Sequence, residues 1–454
     1  MRLRRLDSMS ATSDISGEVT ELLQHLIRNA CVNDGTPESG QETRSAELLH
    51  SYLEGSGVDM ETFESVPGRA SLVARVEGKR KDAPTLLLMG HTDVVPVNPD
   101  GWDRDPFGGE LVDGEVWGRG AVDMLNLTAS MAVATRRLAD SGFSPDGTLI
   151  YLAVADEEAH GTHGADYLLS HEADAVAADY VITESGGIPM PAASGLKLPV
   201  LVAEKGSCWT FLRVRGTPGH GSQPFRTDNA LVKAAEVVRR IAEYRPETTI
   251  SETWRRFVEG MEFGPELTDP LTRPEGFLDL CEALPLGMGR IAHACTHTTI
   301  APTVIHGGTK TNVIPDFVEI ELDIRTLPGD TEPEVRAMLA DALGDLAADV
   351  EIEIRKDDPA TSSSADTPLW DTLQRASKAF YSNSALVPML MMAATDARFF
   401  RRAGSTAYGF GMFSTALTYE DFATMFHGDN ERVDVESLRL STELWDAVAR
   451  DLLT

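Results

Sequence analysis

Thr85-Leu-Leu-Leu-Met-Gly-His91-Thr-Asp93 is the stretch on which the fold turns. Its apolar body, residues 85–90, is too short for a helix and reads as a strand buried on both faces, with an imidazole and a carboxylate directly after it. Two further runs rich in Leu, Val and Ile behave the same way: 149–155 is followed by Glu157 and Glu158, and 180–183 by Glu184. Helical stretches at 128–139 and 165–170 lie between the strands, as parallel βαβ crossovers require. The expectation is an α/β fold, a mixed and mainly parallel sheet flanked by helices. In such open sheets ligands bind in the crevice outside the carboxyl ends of the strands, where these polar residues fall.

Two more candidates complete the set, Asp123 in Gly118-Arg-Gly-Ala-Val-Asp123 and His427 near the C-terminus. Two imidazoles (His91, His427) and three carboxylates (Asp123, Glu158, Glu184) suit a pair of divalent metals, imidazole fitting Zn or Co and carboxylate able to bridge two ions. The chain reads as a two-metal hydrolase. The i, i+4 pair His293 and His297 is set aside as a second metal site, because the Glu of H-E-x-x-H is absent. His160 and His163 are expected to be neighbours of the acidic pair and not ligands.

A second domain interrupts the first. After Lys205-Gly206 a strand at 209–215 leads through the Gly219-His220 turn to a helix at 230–244. Strands at 298–305 and 317–324, a helix at 332–346 and a strand at 350–354 then give a β-α-β-β-α-β order, a ferredoxin-like α+β plan. The expected division is catalytic domain 1–206, inserted lid 207–357 and catalytic domain 358–454. Segment 245–297, punctuated by Pro and Gly and acidic, is read as an excursion of the lid that shapes substrate access or a dimer contact. The closing stretch 435–453 carries Leu438, Leu444, Trp445, Val448 and Leu452 at near-helical spacing and is expected to pack.

The ordered segments Leu88-Met-Gly-His91-Thr-Asp93-Val-Val-Pro96, Gly101-Trp-Asp-Arg-Asp-Pro106-Phe107, Trp117-Gly-Arg-Gly120-Ala-Val-Asp123-Met124 and Glu157-Glu158 are followed by four more. These are Gly216-Thr-Pro-Gly219-His220-Gly-Ser222, Thr311-Asn312-Val-Ile-Pro315, Ala394-Thr395-Asp396-Ala-Arg398-Phe399 and His427-Gly-Asp-Asn-Glu431. In that order they resemble the zinc hydrolase family of succinyl-diaminopimelate desuccinylase, acetylornithine deacetylase, aminoacylase and the glutamate carboxypeptidases. The resemblance implies a zinc exopeptidase-like fold and two divalent ions, Zn first with Co or Mn as alternatives. It implies that His91, Asp123, Glu158, Glu184 and His427 hold them, with Asp123 bridging. It gives Asp93 the orienting of a ligating imidazole and Glu157 the general base for a metal-bridging water, whose pKa coordination lowers from 15.7 toward roughly 7. His220 would support the oxyanion, and Arg398, with Asn312 and Thr395, would bind a free carboxylate of the substrate.

The implied reaction is hydrolysis of the amide of an N-acyl amino acid or short peptide with a free carboxylate. Alternatives are a dipeptidase or aminopeptidase type on the same metals and an inactive metal-binding scaffold. Many relatives carry Lys after the Asp-Met of the third motif where this chain has Leu125, so a cation near the site is missing. Relatives also often dimerise through the lid, which makes a homodimer an expectation. With 71 acidic against 40 basic residues and a net charge of -31, nucleic acid and anionic membranes are excluded as partners by repulsion. No run long enough to span a bilayer occurs. Met1-Arg-Leu-Arg-Arg-Leu-Asp lacks an apolar stretch after its basic residues, and Met9 is an alternative start. Cys31, Cys208, Cys281 and Cys295 form no C-x-x-C pair, so free thiols in a cytoplasmic protein are expected.

Overall fold

The computed structural model describes residues 14–454, and the N-terminal residues discussed above lie outside that range. The chain divides into two compact units. The first comprises residues up to Val202, Ser363–Pro388 and Thr395–Thr454, and the second Ala203–Ser362 with Met389–Ala394. The lid expected at 207–357 thus begins and ends a few residues further out, and it draws in a short piece of the chain that follows it.

In the first unit the strands lie side by side in the order Asp59–Glu64, Ala70–Val76, Thr148–Val154, Thr85–His91, Tyr180–Thr183, Thr406–Gly409 and Gly195–Glu204. The four central strands are parallel, and antiparallel strands flank them, giving a mixed sheet. Leu86, Leu87, Leu88 and Met89 are all fully buried, which is why that run carries no polar residue before its end. Helix Leu125–Asp140 covers one face together with Val435–Leu453. The latter is capped by Asp434, whose carboxylate accepts the Ser437 amide. Trp445 is fully buried and donates its indole N–H to Ser130 Oγ at 2.8 Å, and the Leu453 carbonyl accepts the amides of Asp146 and Gly147. The closing helix therefore packs as its apolar spacing predicts.

In the second unit four antiparallel strands run in the order Thr299–Gly307, Phe317–Thr326, Gly206–Arg215 and Val350–Asp358. Helices Ala230–Glu243 and Glu332–Leu343 pack on one face through Leu212, Val214, Val237, Ile320 and Leu339, which is the ferredoxin-like plan. The second of these helices stops three residues before the expected Leu346 because Gly344 takes φ +57°, a turn that L-residues resist. Segment 245–297, read above as an excursion of the lid, is largely helical. It folds into helices Glu252–Met261, Pro265–Leu271, Phe277–Ala283 and Leu286–Thr296. Among the described residues no helix is long and apolar enough to cross a membrane.

Candidate metal centre

The three central strands deliver their polar ends as the sequence implies. His91 closes its strand, buried. Glu157 and Glu158 occupy a single 3-10 turn after Thr148–Val154, and Glu184 follows Tyr180–Thr183, also buried. Asp123 precedes helix Leu125–Asp140, and His427 follows helix Tyr419–Met425. Asp156 and His427, both next to or within this cluster, have φ of 70° and 57°. Left-handed backbone at non-glycine residues is costly and concentrates where side chains must be aimed.

The side chains form two groups that share one member. His91, Asp123 and Glu184 place donor atoms within 4.8 Å of one another, and so do Asp123, Glu158 and His427. Asp123 Oδ1 lies 3.2 Å from His91 Nε2, and its Oδ2 lies 3.0 Å from His427 Nε2. One carboxylate thus faces both groups, one oxygen toward each. Glu158 Oε2 is 3.3 Å from His427 Nε2, whereas Glu158 Oε1 is buried with no hydrogen-bond partner among the described residues. A buried, unsatisfied carboxylate oxygen is costly unless something absent from the chain itself occupies it.

Asp93 does its orienting differently from the expectation. The His91 ring reaches the Asp93 backbone carbonyl through Nδ1 at 2.9 Å, while the nearest carboxylate oxygen is 3.6 Å away. Nδ1 therefore carries a proton, and Nε2 is left as the nitrogen that faces Asp123. The Asp93 carboxylate instead accepts the amides of Glu157 (3.2 Å) and Glu158 (3.0 Å) and the Asn33 side-chain amide (2.8 Å). It fixes the turn that presents the acidic pair.

Two supports escaped the sequence reading. Glu431, fully buried, accepts the amides of Gly120, Val122 and Asp123 and pairs with Arg119 at 2.9 Å, holding the Asp123 turn from beneath. Glu431 closes the His427-Gly-Asp-Asn-Glu431 motif, and that position was the available signal. Asn33 bridges Asp93 and Asp156 and lies in no motif. Leu125, at the position where the family resemblance implies Lys, is buried against the Gly120 turn, so this chain places an apolar contact there.

Arg398 and Thr395 are buried at 3% and 5% exposure. Arg398 Nη1 donates to the Thr395 carbonyl at 2.5 Å and Nη2 to the His160 carbonyl at 2.9 Å, tying the turn after Glu158 to helix Ala397–Arg402. Thr395 Oγ1 accepts the Ala397 amide at the start of that helix. His220 and Asn312 belong to the second unit, on neighbouring segments: His220 pairs with Val313, and the Asn312 carbonyl accepts the Gly221 amide. Both side chains are exposed. The Ser222 amide donates to His220 Nδ1 at 3.2 Å. Nδ1 is therefore the acceptor, and the proton sits on Nε2, the tautomer that can donate to an incoming oxygen. His293 and His297 stack at 4.4 Å, and both nitrogens of His297 are taken by Thr248, Thr296 and the His293 carbonyl, so the pair is structural.

Burial, and after it the neighbouring carboxylate of Glu184, pushes Glu157 well above the ordinary range. Burial and Asp123 do the same to Glu184 and also raise Glu158. Burial alone would pull His91 down, yet its hydrogen bond to Asp123 and the charges of Glu184 and Glu157 carry it well up. His427 is pushed up to about 10, foremost by its hydrogen bond to Asp123. Carboxyl groups forced to keep protons beside imidazoles forced to keep theirs describe a pocket with more negative charge than the chain compensates, a donor set fitted to cations.

A pH dependence follows. The raised carboxyls bind excess protons in the folded state above about 4.5, and the imidazole contribution is fully present below 6.5 and lost as pH rises through about 10. Both make the chelated protein less stable as pH rises. Metal binding needs deprotonated ligands and reverses the trend. Thermal melts of chelated and metal-loaded protein across that window are expected to show Tm falling with pH only in the former. Parallel slopes would contradict the assignment.

Residues 87–451 match the profile of peptidase family M20/M25/M40. The chain belongs to this family. Its sequence is 26% identical over 441 residues to the N-fatty-acyl-amino acid synthase/hydrolase PM20D1 of Xenopus tropicalis, covering 94% of this chain and 84% of that one. It is also 26% identical to the succinyl-diaminopimelate desuccinylase of Cereibacter sphaeroides, covering 92% and 94%. The crystal structure of the M20 family metallo-carboxypeptidase Sso-CP2 from Sulfolobus solfataricus superposes with a TM-score of 0.70 at 18% identity, covering 97% of this chain and 99% of that one, a likeness of fold. This M20 chain is accordingly a hydrolase on the mixed-sheet fold of its family.

Proposed function

We propose that this M20 chain is a two-metal amidohydrolase that cleaves N-acyl amino acids or short peptides bearing a free carboxylate. The observation that carries the reading is Asp123, shared by two ligand groups with one oxygen toward each. In this reading His91 and Glu184 complete one site and Glu158 and His427 the other, for zinc first, with cobalt or manganese as alternatives. Such ions when bound lower the pKa of water toward about 7 and polarise a carbonyl.

The rest falls to the chain. Glu157, whose raised pKa suits a group that must both take and return a proton, accepts the proton of the attacking water and delivers it to the leaving amine. Asp93 holds the backbone of that turn. His220, with its proton on Nε2, donates to the oxygen on which charge develops. Arg398 is assigned the substrate carboxylate, with Asn312 and Thr395 assisting. The relatives' named activities, on N-fatty-acyl amino acids, in desuccinylation and as a carboxypeptidase, support this substrate class.

The test is a matched pair, an N-acetyl amino acid and its C-terminal amide. Loss of the charge-assisted contact is expected to lower kcat/KM for the amide on the order of 10²-fold or more; equal values would remove the carboxylate requirement. That outcome would favour a second reading, an aminopeptidase or dipeptidase type, which the two carbonyl partners of Arg398 support. We further place the protein in the cytoplasm, where its four unpaired cysteines would stay reduced. We also propose a homodimer formed through the second unit, whose edge strand Thr299–Gly307 exposes Val304 and Ile305 at 40% and 51%.

A further inference from the structure

The helices of segment 245–297 line a cleft of about 690 Å³ within the second unit, a volume in the range of small-molecule sites. It shares no residue with either ligand group of the metal centre. Ile241, Leu278, Leu284, Leu286 and Ile300 supply its apolar lining. Gly289 lets helix Leu286–Thr296 close on helix Phe277–Ala283, since a Cβ there would meet the Cys281 carbonyl oxygen at 2.3 Å. Leu286 is 69% exposed and Met288, on the same helix, 37%, so the apolar surface continues to solvent.

The polar lining has a sign. Arg245 and Arg290 both line the cleft and are exposed. In a chain with 71 acidic residues against 40 basic ones, neither forms an ion pair among the described residues. Arg245 donates only to the carbonyls of Glu243 and Tyr244, at 3.3 and 3.4 Å. Glu282 is the single acidic side chain on the walls. His293, held below its usual range by burial and then by the charges of Lys205 and Arg245, adds polar surface without charge.

An apolar trough with two uncompensated guanidinium groups has the chemistry to receive an apolar chain ending in an anion. We infer that this cleft is a binding site, separate from the metal centre, for an amphipathic carboxylate: an alkyl chain along the leucine and isoleucine walls, its carboxylate held by Arg245 and Arg290. A free fatty acid and a fatty-acylated amino acid share that chemistry.

Calorimetric titration of the full-length, metal-loaded protein with dodecanoate, below its micelle threshold, tests the site. One equivalent is expected to bind, with affinity falling by up to about fourfold for each methylene removed from the chain. Arg245→Gln with Arg290→Gln is expected to weaken binding about tenfold or more. Leu278→Trp, which narrows the trough without touching the charges, is expected to weaken it as well, with unchanged melting as the check on folding. His91→Ala is expected to leave dodecanoate binding intact, which separates this site from the catalytic one. In that background N-dodecanoylglycine can be titrated without turnover, and whichever of it and dodecanoate binds tighter identifies the source. The inference is overturned if dodecanoate fails to bind, if dodecyltrimethylammonium binds equally well, if the arginine variants bind unchanged, or if His91→Ala abolishes binding.

Discussion

Glu157→Gln is expected to retain both metal ions and to lose turnover by about 10²–10⁴-fold, the usual weight of a positioned general base. Glu157 belongs to neither ligand group, so nothing in the donor set changes. Its backbone amide, held by the Asp93 carboxylate at 3.2 Å, keeps the turn in place. What disappears is the ability to take a proton from water and hand it on. Metal content and rate must be read on the same sample: full occupancy with near-normal kcat would remove Glu157 from the base role. Loss of metal together with rate would move it into the ligand set.

Asp123→Asn should have the larger structural consequence. Because Asp123 is the member common to both groups, its neutralisation is expected to deplete both sites. Glu184→Gln and Glu158→Gln should each deplete mainly one. The three variants together form a pattern that a single shared defect cannot imitate. Metal analysis after dialysis, followed by melts with added zinc, reads it: at an ion concentration a hundred times Kd each occupied site adds roughly 2.7 kcal/mol of stability, so Asp123→Asn should show almost no zinc-dependent rise in Tm. Equal metal loss in all three would contradict the division of ligands between two sites.

Much of the first unit was legible because parallel strands buried on both faces have nowhere to put a polar residue. A run such as Leu86 to Met89 therefore announces both the strand and, by its end, the crevice. His91 and Glu184 stood out as candidates for the same reason, since a buried polar group at the end of an apolar run is too costly to be casual, whereas Asp123 and His427 follow no such run. The contacts that hold the candidates in place were not legible. Glu431 and Asn33 act by accepting or donating to backbone and carboxylate groups brought near only by folding, and no spacing rule marks such partners. The carbonyl-mediated hold of Asp93 on His91 was invisible because backbone atoms leave no signature in residue types.

The helices within 245–297 were not foreseen, and the reason is specific. Pro265 opens a helix as its first residue, and Gly264 and Gly276 sit at helix starts. The residues that punctuate the segment begin its helices. Proline at the first helical position loses nothing, since that amide has no intrahelical partner. Arg398 was read as a substrate clamp from its fork-shaped side chain. The fold shows it holding two carbonyls, a duty that residue type alone could not reveal.

The long reach between Asp123 and Glu431 has a consequence for how the protein is born. On the ribosome the segments bearing His91, Asp123, Glu158 and Glu184 emerge first and can begin to fold, but His427 and the carboxylate that braces the Asp123 turn leave the exit tunnel only after the stretch Ala203–Ser362 of the second unit. A nascent chain released before that point would carry a half-built pocket, without the second imidazole and without the brace of the Asp123 turn.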